Sequence, residues 1–539
     1  MDSGSMPASG TTVVWTNRYN NAGTGAILTE KILTPATVSG PKFGLLFSLP
    51  VDGTVQAQPL YIPGLSVNGA QHNVVFVATE NNTVYAYDAD VSGPALWSRS
   101  MGTAFKTGNP DGTAPVFGCA DLYPVVGINS TPVIDTNTGT MYVVAKTSVG
   151  GTAHQFLHAL DIKTGADRTG SPTEITASVP GTGEGNVGGT LSFDPRVNLQ
   201  RAGLLLQNNV VYIAWASHCD LHPYHGWVMA YDAATLAQKG VYNDTPNGAA
   251  GGIWQSGMGL TSDGTGVYFV SGNGDFDPNG GNGAGANKGM SVGRLTLGTG
   301  GFTLADSFTV YNATALNAGD NDLTSSAVIA PGTNYLYMSG KDSHLRVLNR
   351  SNLGGFNHAP GAGSDSQIPQ DIYMGGGHLH GGPVVWQGST PTLFAWNEGH
   401  QLQAYAMQAG TAQNPALNGR LPTAPTKTAN VGYITPHPGA IITVSSNGTM
   451  PGTGVVWGTT LPQPAQPYAY DAAWHHIVPG ILYAMDAEDI TKNLWNSDKN
   501  PADSLGLFAK FSPPVVADGK VYVGTATTTN MVRVYGLKP

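Results

Sequence analysis

Val74-Val75-Phe76-Val77-Ala78-Thr79-Glu80, followed by Val84-Tyr85-Ala86-Tyr87-Asp88-Ala89, reads as two short apolar strands joined by a tight turn. The same pair returns at Gly139–Lys146 with Leu157–Asp161, Val210–Trp215 with Val228–Ala233, and Tyr335–Lys341 with Leu345–Asn349. It returns again at Thr392–Glu398 with Leu402–Tyr405, Gly454–Gly458 with Leu482–Ala487, and Gly519–Thr525 with Val532–Gly536. A copy at Val267–Asn273 has a degenerate second member near Val292–Leu295, which brings the count to eight. A unit of this size cannot bury its apolar face alone and must stack on its copies. The pattern predicts an all-β fold: one eight-bladed β-propeller. Uneven repeat lengths and missing polar caps argue against a solenoid, and the unbroken signature argues against two sandwiches.

Each pair follows a small residue or proline and a short apolar run, as in Gln58–Ile62, Thr131–Asp135, Gly203–Leu206, Gln255–Met258 and Gly382–Trp386. A strand crowded at a central axis needs such a start, and proline is tolerated where no ladder partner is required. A fourth, outer strand carries an aromatic at Trp97, Tyr242 and Trp495. The eighth copy ends at the C-terminus without one. Gly44-Leu45-Leu46-Phe47-Ser48-Leu49-Pro50 has outer-strand character and no inner strands before it. It is expected to close the ring on the last blade, covering an exposed edge. The domain then runs from 11 to 539, with blade cores from about residue 53, and residues 1–10 read as a cloning remnant.

Only 11% of the 539 residues are charged, against about 25% in ordinary soluble domains. The 73 glycines and 36 prolines suit a loop-rich all-β surface. A net charge of −10 argues against nucleic acid or an anionic membrane as partner. No apolar run approaches the ~18 residues of a membrane span, and no signal peptide is visible. Low charge, two cysteines and Asn-x-Ser/Thr sites at Asn81, Asn129, Asn243, Asn312 and Asn447 fit a secreted or periplasmic, extracytoplasmic protein. A monomer is expected.

The cadence Val-Tyr-x-Gly-x-x-Asp/Asn-Gly-x-Leu-x-Ala-Leu-Asp resembles the pyrroloquinoline-quinone-type repeat of quinoprotein dehydrogenases, from about Gly53 to Pro539. Segments such as Gly127–Asp135, Ser217–Asp220 and His378–Gly381 resemble a quinoprotein-like branch of that family. In alcohol-oxidising members a Gly-Asn segment supplies a calcium ligand and a following Gly-Asp-Asn segment supplies the catalytic Asp. Ser271-Gly272-Asn273-Gly274 matches the first. Where the Asp is expected the chain reads Asn287-Lys288-Gly289-Met290-Ser291-Val292, without a carboxylate. The vicinal cysteine pair that faces the quinone is also missing. Both gaps argue against bound pyrroloquinoline quinone.

Blade topology puts the start of each inner strand and each second-to-third-strand loop on one face. Most of the chain's histidines fall there. Ser217–His225 and His378-Leu379-His380 are the densest segments, and with Glu398 they nominate His218, Asp220, His225, His378, His380 and Glu398 as catalytic residues. His222, His400, His475 and His476 are expected at the rim. Asn273 and Lys341 are the candidates for holding a cofactor. Alternating His-x-His in an extended chain puts both imidazoles on one side, a spacing suited to a transition metal. His225 is the expected third ligand, with His218 and Glu398 as alternatives. Asp275-Phe276-Asp277-Pro278-Asn279-Gly280 opens like a calcium loop but lacks the closing Glu, so Asp275, Asp277 and Asn279 are either calcium ligands or an Asx-rich turn. Cys119 and Cys219 sit in similar contexts on adjacent blades, and an oxidising compartment would join them in a disulfide.

Three functional readings remain. The first is an oxidoreductase acting on a polar small-molecule or oligomeric substrate in a His-rich funnel. The second is a non-redox lyase or cyclase using histidine acid–base chemistry on the same face. The third is a non-catalytic binding or assembly propeller. Titratable groups gathered at one mouth favour an enzyme.

Overall fold

The structure, a computed structural model, describes residues 11–108, 121–277, 285–323, 325–356, 363–431, 437–461 and 477–539. The repeat becomes eight blades, each an antiparallel sheet, and in the seventh Ala26–Ile27 adds a strand parallel to Ile441–Ser445. Blade one is Leu60–Val67, Ala70–Ala78, Thr83–Asp88 and Trp97–Ser100, counted outward from the axis. Blade six is Val384–Trp386, Thr392–Ala395, Gln403–Ala406 and Lys427–Thr428. β-Branched and aromatic residues fill these strands because they pack well on a pleated surface. The second strands are buried on both faces, as in Val210–Ser217, because each blade lies between two others. Outer aromatics link blades: Trp97 Nε1 donates to Ile162 O at 3.1 Å, and Trp495 meets Phe43 edge-on at 5.0 Å.

The ring closes as expected. Phe43–Pro50 pairs antiparallel with Met531–Leu537, from Phe43↔Leu537 to Pro50↔Met531, and completes blade eight with Lys520–Gly524 and Val515–Ala517. A bulge between Leu45 and Phe47 turns the Leu45 amide to Asp503 Oδ1 at 2.9 Å.

The segment before this strand has a role that its sequence does not announce. Residues 14–30 pass the innermost strand of every blade in turn. Val14 bonds Tyr61 in blade one at 2.8 Å, and Ile134 N of blade two donates to Trp15 O at 2.8 Å. Asn21 reaches Leu206 O of blade three at 2.9 Å and accepts from Ser262 N of blade four at 2.7 Å. Ile329 N, Val385 N and Val444 N of blades five to seven donate to Ala22, Thr24 and Gly25 at 2.9, 2.9 and 3.0 Å. Tyr19 Oη accepts from Val516 N of blade eight at 2.9 Å. The inner edges of the propeller are thereby satisfied by protein. Arg18, only 2% exposed, locks the turn by donating to Gly23 O and Pro383 O. A Cβ on Gly25 (φ 70°) would lie 2.6 Å from that guanidinium, so only glycine fits.

Two strand expectations are corrected. The inner strand of blade four is Thr261–Ser262, not Gln255–Met258. Gln255 and Gly257 have positive φ, and Gly257 passes so close to Phe511 that a Cβ would lie 2.3 Å from its carbonyl oxygen. That stretch is therefore a turn at the axis. The degenerate copy is a full hairpin, Ser291–Gly298 with Gly301–Thr309.

Candidate functional site

Two loops of blade six build the site. His378-Leu379-His380 precedes its inner strand, and Asn397-Glu398-Gly399-His400 joins its second and third strands. The loops are tied by Glu398 N donating to His378 O at 2.9 Å. Gly377 lies so close that a Cβ there would sit 1.7 Å from Glu398 O. Leu379 is buried at 1% exposure, and the two flanking imidazoles emerge together.

Glu398 is the hub. Its Oε1 lies 2.8 Å from His380 Nε2 and 2.7 Å from His437 Nδ1, and its Oε2 lies 3.4 Å from His378 Nδ1. The ligand-capable atoms of His378, His380 and Glu398 all fall within 4.8 Å of one another. His380 Nε2 and Glu398 Oε1 are both buried. Their spacing also suits joint ligation, since bonds of ~2.0–2.2 Å to one ion leave neighbouring donors about 3 Å apart. Burial pushes the His380 imidazole down to about 4, against the pull of Glu398. Burial would raise the Glu398 carboxyl, but the adjacent His380 and His437 hold it well below the usual carboxylate range. At neutral pH the set is two neutral imidazoles and a carboxylate, the protonation state that a metal ion needs.

A cavity of about 560 Å³ opens beside His378 and Glu398 and is also lined by Lys341, Asp342, His344 and Tyr373. Lys341 Nζ lies 3.0 Å from Asp320 Oδ1 and 2.8 Å from Asp322 Oδ1. Asn273 Nδ2 donates to the same Asp320 Oδ1 at 2.7 Å. Asp320 belongs to Gly319-Asp320-Asn321. Asp320, 47 residues after Asn273, thus brings a carboxylate to this amide, where residues 287–292 contain none.

No protein-family model matches this chain, and no curated protein sequence does. Its structure is similar to a europium-containing methanol dehydrogenase: TM-score 0.58 and 13% identity, covering 97% of this chain and 98% of that one. A quinohemoprotein alcohol dehydrogenase from Pseudomonas putida HK5 gives 0.56 and 15%, covering 97% and 80%. One from Comamonas testosteroni gives 0.53 and 15%, covering 98% and 81%. This chain shares with them the eight-bladed propeller fold.

That fold brings pyrroloquinoline quinone and calcium into question. The Asn and the Asp are present, but Lys341 sets its ammonium between the two carboxylates that would otherwise face a cation. Asn273 Oδ1 is buried without a hydrogen-bond partner, far short of the six to eight oxygens calcium takes. The two cysteines of the chain, Cys119 and Cys219, are not vicinal, so the sulfur platform is missing. The residues do not fit the quinone–calcium pair.

The other predicted residues are used differently. His218 is buried with Nε2 2.8 Å from Lys146 Nζ. Asp220 accepts from Tyr224 Oη at 2.7 Å. His225 is not a third ligand beside His378 and His380, because its Nδ1 contacts Thr245 Oγ1 and its Nε2 contacts Glu184 O, both at 2.9 Å. His222 turns to Glu184 Oε2 at 2.5 Å. Asp275 accepts from Ala249 N, 26 residues back, and Asp277 from Asn287 N, 10 residues on, so each carboxylate ties down a different, distant backbone segment and neither bond is a local Asx turn. Asn279, His475, His476 and Cys119 lie outside the described residues. His400 lies against Gly375, Gly376 and Gly377. His437 was not anticipated, because a lone His-Pro in a long connection carries no spacing signal.

A buried charged network lies toward the axis. Asp121 pairs with Arg201 at 2.9 Å and with Lys510. Arg201 stacks on Phe511 at 4.9 Å, and Phe511 lies 6.1 Å from the His380 ring. Glu80, 3% exposed, accepts from Asn129 Nδ2 at 2.7 Å. Burial pushes its carboxyl up to about 8. A folded pKa above the unfolded value means that this group's stabilisation is complete below the unfolded pKa of 4.5 and is lost as pH rises through about 8. Glu80→Gln keeps the acceptor and removes the charge. Urea titrations at pH 5 and pH 9 should show it matching wild type at the lower pH and exceeding it by a few kcal/mol at the higher. Equal stability at both pH values would contradict this.

Proposed function

We propose that this chain is a monomeric, extracytoplasmic, metal-dependent oxidoreductase acting on a polar small-molecule or oligomeric substrate. The observation that carries the reading is the convergence of His378, His380 and Glu398, with His378 and Glu398 lining a cavity of about 560 Å³ and His380 buried behind them. Two imidazoles and one carboxylate leave ligand positions open and suit a first-row transition metal. A metal held there would supply Lewis acidity or a redox couple. His437 braces Glu398, and second contacts of that kind orient a ligand and raise its affinity. Lys341 and Asp342 set the charge of the cavity wall. Oxidation of a substrate C–OH would release two electrons to an external acceptor and two protons to solvent or side chains.

The test is to strip the protein, reload it separately with Mn²⁺, Fe²⁺, Cu²⁺ and Zn²⁺, and measure bound metal and dye reduction over a panel of polar alcohols. One equivalent of a redox-active ion with substrate-dependent dye reduction is expected. No stoichiometric uptake of any ion overturns the metal. Uptake with substrate turnover but no dye reduction overturns the redox reading in favour of the lyase or cyclase.

A further inference from the structure

We infer that the cavity beside His378 and Glu398 is a carbohydrate site, built to stack one face of a pyranose ring on Tyr373. The inference rests on reading this cavity as the substrate site. Tyr373 ends the outer strand Gln370–Tyr373 of blade five and is 61% exposed. The other large apolar side chains left open to solvent among the described residues are aliphatic: Leu28, Ile32, Val91, Val149, Val187 and Met450. The one aromatic so exposed therefore stands at the cavity.

Its surroundings keep the ring open and in place. The His344 ring lies 5.4 Å from one side of it, and His344 is held by Asp371 at 2.7 Å. Gly375-Gly376-Gly377 follows after Met374, with φ of 102°, 122° and 72°. A Cβ on Gly376 would lie 3.6 Å from Tyr373 Oη. Beside the ring runs a strip of bare backbone, with the His400 ring against it.

The remaining wall is polar and of mixed sign. Lys341, Asp342, Asn312 and Asn321 face the same space. A C–H-rich sugar face suits an aromatic ring, while its hydroxyls donate to carboxylates and accept from amides and ammonium. A simple alkyl alcohol offers this wall one hydroxyl, whereas a pyranose offers several at fixed angles. An anion would meet Glu398 and Asp342, and a cation would meet Lys341. A neutral polyhydroxylated ring meets neither penalty. The volume lies within the ~300–1,000 Å³ of small-molecule sites.

Saturation-transfer NMR and calorimetry on the whole chain would use methyl glucoside, cellobiose and maltose, with sorbitol and 1-butanol as controls lacking a ring face. The glycosides should bind at least tenfold tighter than the controls. Tyr373→Ala should weaken glycoside binding at least tenfold, Tyr373→Phe should retain it, and metal content should stay unchanged in both. Absence of glycoside binding, or Tyr373→Ala binding as wild type does, overturns the carbohydrate inference. His380→Ala separates the two readings: loss of metal with glycoside binding kept supports the carbohydrate site, whereas metal uptake without glycoside binding refutes only the sugar.

Discussion

Deletion of residues 11–50 is expected to leave no cooperatively folded protein. Those residues hold the outer strand of blade eight and the segment that touches all eight inner strands. The buried side chains lost include Val14, Tyr19, Leu33, Val38, Phe43 and Leu49. At ~1.5–3 kcal/mol for each side chain and about 1 kcal/mol for each hydrogen bond, the loss is on the order of 10 kcal/mol. That is comparable to the whole stability of a typical domain, ~5–15 kcal/mol. A shorter deletion, residues 11–31, keeps the closing strand and tests the axial segment alone. Circular-dichroism melts should show it folded but with a much lower Tm. A Tm equal to that of the full chain would mean that the inner edges do not need this segment.

Replacing the clustered ligands is expected to abolish metal uptake while sparing the fold. His380→Ala and Glu398→Gln should each lower affinity at least about 100-fold, and His437→Ala about 10-fold, the scale of an orienting contact. The blade core is formed by other side chains, so Tm should shift by only a few °C. Burial of Glu398 supplies the counter-case. It is 5% exposed between imidazoles, and if its only work were to hold those loops together, Glu398→Gln would cut Tm sharply and leave metal uptake as it was. Titration with Zn²⁺ or Mn²⁺ followed by a thermal melt on the same sample distinguishes the two outcomes.

The ring was legible because a propeller writes its fold in local pattern. Val84–Ala89 and Leu482–Ala487 repeat one another, and strand alternation acts over neighbouring residues. The closing strand was legible for the same reason: Gly44–Pro50 has strand character and no partner nearby, and Met531–Leu537 has a vacant edge. Blade four misled because Gln255-Ser256-Gly257-Met258 looks like a strand start, while its positive φ angles answer to a contact with Phe511 from the far end of the chain.

The site was legible in part. His378, His380 and Glu398 were marked by spacing and loop position, and the fold brings them within 4.8 Å. Asp320 was missed because Asn273 meets it across a 47-residue excursion.

Sequence alone determined the eight blades, their closure and the His-x-His loop, because each depends on residues close together in the chain. Only the tertiary structure decided which imidazoles serve the cluster. His225 finds Thr245 and Glu184, His218 finds Lys146, and His437 reaches Glu398 from the neighbouring blade. A buried polar group takes the partner that packing brings nearest, and that choice is set by where whole blades sit, not by spacing along the chain.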